Sequence, residues 1–365
     1  MNNNGVRVVL VMPPSNDDTY YLMARKVVNS IYFVKGMNWI SSNESGIGKL
    51  KNWAYNAFNS GGWHIAPVLK LSKIIIQERV DLVHTNTSTC IDAALAAKIT
   101  LRPHVQHIRE ITGTSAEALF RLKFQGTSFF RRLNSNLNNI ILCNSFYTLK
   151  ASEIEFPKEK LEVIYNTIKP PEVLPVAYLG GVMQVCIIAN VTAKMKNHIL
   201  ALQVARCLKE GGREAEFKFN LFGKLPPERD TYLNSLRSFI EENQLDVMVE
   251  FKGLCKTSDI LNSNQVLFHT FDGESFGRVY IEAMSYGRPV IAVKGGAASE
   301  LIEPGKEGYL VSKDDPKKIA QTLIALAKDS SQYLLMRKYC IAKARSFSED
   351  VVLPELLETY RKIIN

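Results

Sequence analysis

FDGESFGRVYIEAMSYGRPVIAVKGG, Phe271 to Gly296, is the stretch whose reading decides the fold. Two carboxylates, Glu274 and Glu282, lie on either side of Ser275-Phe276-Gly277, a turn with little side-chain bulk. From Val279 to Met284 the residues suit a helix, so a loop should feed a helix N-terminus near Gly277. Backbone N–H groups at such a start have no helical partner and favour an anion such as a phosphate. Glu282 falls about five residues into that helix, and helical side chains lean toward the N-terminus, so its carboxylate is expected at the same mouth. There it could accept a pair of vicinal hydroxyls. Tyr286-Gly287 supplies a left-handed stop, and Arg288-Pro289 leads into Val290 to Val293, a short buried-strand pattern. Loop, helix, turn and strand make half of an open α/β sheet, in which ligands sit beyond the carboxyl ends of the strands. The ligand this mouth suits is a hydroxylated diphosphate. Two glutamates at this separation occur by chance on many helices. The Phe-Gly turn between them, the Gly-x-Pro-Val after them and Gly295-Gly296 are what make the pattern specific.

This segment resembles the signature of retaining glycosyltransferases of the large family 4, which share the GT-B architecture. The resemblance implies an α/β protein of two Rossmann-like domains facing each other across a cleft, with a C-terminal helix returning to the first. It places an N-terminal acceptor-binding domain at 1–175, joined by the helix 347–365, and a nucleotide-sugar donor domain at 176–346. It implies that Glu274 is catalytic and, with Ser275 and the loop after it, meets the donor sugar. Phe276, Gly277, Arg278 and Val279 would present their backbone to the donor, and Glu282 would bind the ribose.

A chain of 365 residues suits two domains of ordinary size, and 46% apolar with 22% charged residues is a globular composition. No apolar run approaches a membrane span, and Val6 to Met12 is a strand-length run without signal-peptide architecture, so a cytoplasmic chain is expected. Six scattered cysteines without a C-x-x-C pair argue against disulfides and structural zinc. The net charge of +9 is uneven: through Ala177 there are 20 Lys and Arg against 13 Asp and Glu, and beyond it 25 against 23. An anionic partner would therefore meet the first half. No basic helix or stacking motif specifies nucleic acid.

Within that half, Val6 to Met12 reads as a buried parallel strand, and Tyr20 to Ile31 has amphipathic helical spacing. The loop Pro13 to Asp18 lacks the double glycine of many family members, and the absence of G-x-G-x-x-G argues against a nicotinamide enzyme. Ser41 to Gly62 and Phe120 to Arg132 mix lysine or arginine with aromatic rings. They could settle on anionic lipid headgroups or pack inward as ordinary loops and helices. Two strands, Val80 to Asn86 and His104 to Glu110, end in polar groups, the second presenting His107, Arg109 and Glu110 together. Ionisable groups at a strand end point to a cleft. The resemblance puts a His near the transferred sugar, carried to His107, with His84 as the competing position and a structural histidine as the plain alternative. Lys160 to Asn166 closes the domain, and Pro170-Pro171 and Leu174-Pro175 supply a stiff linker.

In the second half, Val185 to Val191 is a strand, and Thr192 to His198 leads into a helix. Lys194 and Lys196 at that helix start make a diphosphate site, because ammonium groups and orphan N–H groups add. The family pattern has an Arg six residues before a Lys here; Lys196 matches, while the Arg position is Asn190. The clamp is then one charge short, with Lys194 as a substitute. Gly223, after the strand Phe217 to Phe222, would let the base or ribose approach the backbone. His269 ends the strand before the central stretch and has no assignable role.

The resemblance, specific from about Ala189 to Val311, implies a metal-independent transferase. It would move a sugar from a UDP- or GDP-sugar to a hydroxyl of a glycan or polyprenyl-linked acceptor in surface polysaccharide synthesis, at the inner face of the membrane, with no other cofactor. Two rivals remain. One is a catalytically reduced nucleotide-sugar-binding subunit, suggested by Asn190; the other is a different GT-B chemistry such as an epimerase or a phosphorylase.

Overall fold

The structure is a computed structural model, and it describes residues 5–15, 19–36, 40–41, 65–112, 121–122, 126–153, 155–192 and 194–364. The chain forms two compact units, Met1–Ile164 with Leu353–Asn365, and Tyr165–Val352.

In the first unit β1 (Val9–Met12) pairs in parallel with β2 (Ser30–Phe33), and β3 (Ile40–Ser41) pairs antiparallel with β6 (Arg121–Leu122). A four-stranded parallel sheet runs in the order β4 (Val83–Thr85), β5 (His104–Ile108), β7 (Ile140–Cys143), β8 (Leu161–Val163). β5 and β7 are buried along their whole length; β7 (IILC) accordingly reads as an apolar run, whereas β5 buries His104, Gln106 and His107 among its five residues.

The helical spacing over Tyr20 to Ile31 is overridden. The helix covers only Thr19–Ala24, and Ser30 already belongs to β2. Asn29 is the reason: Val8 N donates to its Oδ1 at 2.9 Å, and its own N–H donates to Val8 O at 2.9 Å. That locks the chain to the start of β1, and β-branched and aromatic residues follow as a paired strand. Tertiary pairing outweighs local periodicity here. Of the two lysine-, arginine- and aromatic-rich stretches, 42–62 lies outside the described residues. From the other, the helix Ser128–Leu137 is described, with Phe130 buried and Phe129, Arg131 and Arg132 exposed.

The second unit is a six-stranded, all-parallel sheet. Its strands are β9 (Met183–Ile188), β10 (Phe217–Phe222), β11 (Val249–Gly253), β12 (Val266–His269), β13 (Val290–Val293) and β14 (Gly308–Val311). Their order is β11-β10-β9-β12-β13-β14. Numbered from β9, that is the doubly wound order 3-2-1-4-5-6, with the direction of winding reversing between β9 and β12. Helices His198–Glu210 and Pro316–Lys328 pack apolar faces on the sheet, and one core joins Val185, Phe219, Phe268, Ile291, Leu202 and Leu323. Arg288, at 1% exposure, is held among carbonyls: it donates to Leu261 O at 2.8 Å, Val176 O at 3.0 Å and Asn262 O at 3.1 Å. Those bonds satisfy a cation that burial would otherwise penalise.

The last helix is Glu349–Ile364, and from Leu353 onward it belongs to the first unit. Thr359 there donates to Glu162 at 3.3 Å, and the Tyr360 hydroxyl meets His84 Nδ1 at 2.5 Å. Among the described residues no helix is long and apolar enough to cross a membrane.

Candidate active site

The reversal between β9 and β12 opens the loops that follow those two strands away from each other. A doubly wound sheet binds its ligand at this point. The loop after β9 carries Asn190, Lys194 and Lys196; the loop after β12 carries Glu274, Ser275, Phe276 and Gly277. Sequence separation hides their proximity, and the fold brings Lys196 Nζ onto Glu274 Oε1 as an ion pair with both side chains largely buried. Lys196 also lies 4.4 Å from the centre of the Phe271 ring, a cation–π contact, and its carbonyl accepts from Thr270 Oγ1.

Glu274 is fixed from several sides. Its carbonyl accepts from Ala297 N at 2.9 Å, and a Cβ on Gly296 would come within 2.5 Å of that same oxygen. Only glycine lets the turn after β13 approach the loop so closely, which accounts for Gly295-Gly296 in the sequence. Lys313 holds Asp272, two residues before, at 2.7 Å. His269 Nε2 stands 3.4 Å from Glu274 Oε1. Burial alone would raise the carboxyl, but the hydrogen bond from His269 and the Lys196 ammonium outweigh it and hold the group down to about 2. Glu274 is therefore ionised across the working pH range.

The helix after the loop is Arg278–Ser285, and Gly277 caps it in the left-handed conformation at φ 75°. Phe276 is buried against Tyr165 and Phe347, with ring centres 5.8 and 5.9 Å away, so its side chain anchors the turn. Glu282 sits one turn into the helix, half-buried and paired with Arg278 at 3.0 Å. Burial raises its carboxyl, with Arg278 pulling the other way. Val279, between the two, is half-buried.

Asn190, at the expected arginine position, accepts from Lys224 N at 2.8 Å through Oδ1. It thereby stitches the end of β9 to the Gly223-Lys224 turn. A Cβ on Gly223 would meet Ala189 O at 2.2 Å, so the glycine serves the approach of two backbone loops. Lys194 is exposed in the short turn Lys194–Lys196 that leads into His198–Glu210.

In the first unit, His107 lies in β5 at 3% exposure, with neither ring nitrogen hydrogen-bonded. Burial, then the charges of Arg109 and His84, push it down to about 2, so the ring is neutral. His84 is 5.4 Å away between ring centres and is lowered to about 4, chiefly by burial. His104 is satisfied by Thr85 Oγ1 and Asn138 Oδ1, each at 2.7 Å. Arg109 and Glu110, grouped with His107 by sequence, are used locally: Arg109 donates to Asn86 Oδ1, and Glu110 accepts from Ser88 Oγ at 3.0 Å and Thr87 Oγ1 at 3.3 Å. Beside them lies a cavity of about 410 Å³ lined by β1, Pro13, His84, Asn86, Thr87 and Asp92. Among the described residues no three His, Cys, Asp or Glu side chains come together as a metal site would need.

Sequence reasoning missed His269. A lone histidine closing an apolar strand carries no periodic signal, and only the fold brings Glu274 and Tyr280 to its two nitrogens.

The comparisons with known proteins agree with this architecture. Residues 1–170 match the family model described as Glycosyltransferase Family 4, and residues 183–329 the one described as Glycosyl transferases group 1. The chain is 23% identical over 300 residues to an uncharacterized glycosyltransferase, MJ1178, of Methanocaldococcus jannaschii, covering 80% of this chain and 78% of that protein. It is 28% identical over 193 residues to the putative colanic acid biosynthesis glycosyltransferase WcaL of Escherichia coli K12, covering 50% of this chain but only 46% of WcaL. Among solved structures, Anabaena Alr3699/HepE in complex with UDP and glucose aligns with a TM-score of 0.72 at 21% identity, over 97% of this chain and 91% of that one. A glycosyltransferase from Rickettsia africae ESF-5 aligns with a TM-score of 0.76 at 16% identity, over 100% and 92%. With one glycosyltransferase model matching its first half, another its second, and the fold shared along nearly its whole length, the chain belongs to the GT-B glycosyltransferases.

Proposed function

We propose that this transferase retains configuration and moves a hexose from a UDP- or GDP-sugar to a hydroxyl of a glycan or polyprenyl-linked acceptor in surface polysaccharide synthesis. The observation that carries the reading is the Lys196–Glu274 pair at the topological switch of the second unit. An ammonium suits a departing diphosphate and a fixed carboxylate suits sugar hydroxyls, so one pair holds both ends of the bond to be broken. The bond between the anomeric carbon and the phosphate oxygen breaks as the acceptor oxygen bonds to the same face. The acceptor's proton passes to a phosphate oxygen of the leaving nucleotide. Lys196, Lys194 and the amides beginning the helix at Arg278 take up the leaving group's charge, work of positioning and electrostatics. Glu282 is assigned the ribose hydroxyls, and His107 the acceptor side.

The UDP and UDP-glucose bound to the Anabaena protein support a uridine nucleotide as the first donor to try. The match to WcaL supports the polysaccharide assignment. A cytoplasmic site at the inner membrane face, with the basic first half toward anionic lipid, accords with such an acceptor. Incubation of the purified chain with labelled UDP-, GDP- and ADP-sugars tests the reading. Release of nucleotide and free sugar from one donor, accelerated by a lipid-linked glycan acceptor, is the expected result. Binding without any turnover would favour a nucleotide-sugar-binding subunit, and an isomerised nucleotide sugar an epimerase.

A further inference from the structure

His269 ends β12 at 5% exposure, and the groups around it determine which of its nitrogens carries the proton. Nδ1 faces the backbone N–H of Phe271 at 3.4 Å and the hydroxyl of Tyr280 at 3.2 Å. A backbone N–H can only donate, so Nδ1 must offer its lone pair, and the proton then resides on Nε2. Nε2 is the nitrogen 3.4 Å from Glu274 Oε1. Tyr280 has no solvent exposure, and burial, with Glu274 and Asp272 nearby, raises its phenol well above the ordinary value. It stays a donor. The groups therefore form a directed chain: Tyr280 O–H to His269 Nδ1, then His269 Nε2–H to the Glu274 carboxylate. Gly277 belongs to the same device. A Cβ there would meet Tyr280 Cε2 at 2.3 Å, so the glycine that caps the helix also leaves room for the ring that orients His269.

The chain ends on the oxygen that Lys196 also holds. A diphosphate competes with Glu274 for the Lys196 ammonium, and a carboxylate held by Lys196 alone would lose its orientation just as the sugar arrives. On the proposed function above, we propose that His269, backed by Tyr280, is a positioning residue that keeps Glu274 aimed at the donor sugar while Lys196 turns to the diphosphate. It thereby sets the preference for a nucleotide sugar over the bare nucleotide. Outer partners that fix a working group commonly affect function by about 10- to 100-fold.

Glutamine and asparagine at position 269 separate this role from mere packing. The amide nitrogen of Gln reaches the place of Nε2; that of Asn reaches only the place of Nδ1. UDP and UDP-glucose, or the nucleotide and nucleotide sugar that the donor panel selects, are titrated against the unaltered chain, His269→Gln, His269→Asn and Tyr280→Phe. Thermal melting checks that each variant is folded. His269→Gln is expected to keep the extra affinity for the nucleotide sugar and turnover within about threefold. His269→Asn should lose that extra affinity and about tenfold or more in kcat, Tyr280→Phe should fall between, and all should bind the bare nucleotide within about twofold of the unaltered chain. Equal behaviour of Gln and Asn, or a parallel loss of nucleotide affinity, would overturn the role. Nitrogen-15 NMR of the ligand-free chain reads the tautomer independently of function: an Nε2-protonated His269 is expected, and an Nδ1-protonated ring overturns the hydrogen-bond chain. An unaltered chain that binds no nucleotide sugar overturns the proposed function, and with it the purpose assigned to His269.

Discussion

His107 in the first unit and Glu274 in the second are both held near 2, for opposite physical reasons. His107 is a base removed from water and given no hydrogen-bond partner, so burial strips its charge. Glu274 is an acid removed from water but met by Lys196 and His269, so burial is outweighed and the charge stays. A neutral ring with two idle nitrogens makes no polar contact that fixes it. An ionised carboxylate already fixed by its neighbours is set for a ligand before it arrives. The second unit keeps a buried charge by pairing it, whereas the first loses one by leaving it unpaired.

The comparison breaks most sharply at Glu274. Glu274→Gln should lower turnover of the preferred nucleotide sugar by about 100-fold or more, the scale of losing one well-placed electrostatic contact. The same change should tighten binding of the bare nucleoside diphosphate, because it frees Lys196 and removes a negative charge. A calorimetric titration showing weaker diphosphate binding would contradict the competition between the two. Lys196→Ala should weaken diphosphate binding by about 10- to 100-fold, as expected for a charge-assisted bond, with no loss of folding.

His107→Phe tests the other half. Replacing an unpartnered buried imidazole by an apolar ring should leave Tm within a few degrees or raise it, while transfer to the acceptor falls about tenfold or more and donor binding is unchanged. Unaltered transfer would make His107 a core residue only.

Titration of stability sharpens the comparison with the smallest effect. The Glu274 carboxyl is depressed in the folded chain, so its contribution is present above the ordinary value of 4.5 and is lost as pH falls toward about 2. The Tm gap between the unaltered chain and Glu274→Gln should therefore close over that window. Glu282 is raised, so its contribution is present below 4.5 and lost as pH rises through its folded value. Glu282→Gln should then raise Tm by roughly 1–3 °C at neutral pH and not in acid. A site built to hold ribose hydroxyls would keep such a cost.

Much of this was legible in the sequence because the inner strands of the second unit are largely buried on both faces. Phe217 to Phe222, Val266 to His269 and Val290 to Val293 read as strands with the bounds observed. So did the Gly277 helix start, which needs a left-handed residue. What stayed hidden was set by contacts distant in sequence. Ser30 to Phe33 became a strand because Asn29 bonds to Val8, which no periodicity reports. Asn190 read as a missing charge, and its bond to Lys224 N gives it a structural use that spacing could not reveal. Glu110 read as an ionisable group at a strand end, and its bonds to Thr87 and Ser88 in the loop after β4 were not readable from spacing.

A crystal structure of the chain with an unhydrolysable analogue of its preferred nucleotide sugar tests the central claim most directly. The diphosphate is expected within hydrogen-bond distance of Lys196 Nζ, the sugar hydroxyls on Glu274 and the ribose on Glu282, with His269 still against Glu274. A nucleotide bound elsewhere, with the Lys196–Glu274 pair intact and no ligand touching either residue, would contradict it.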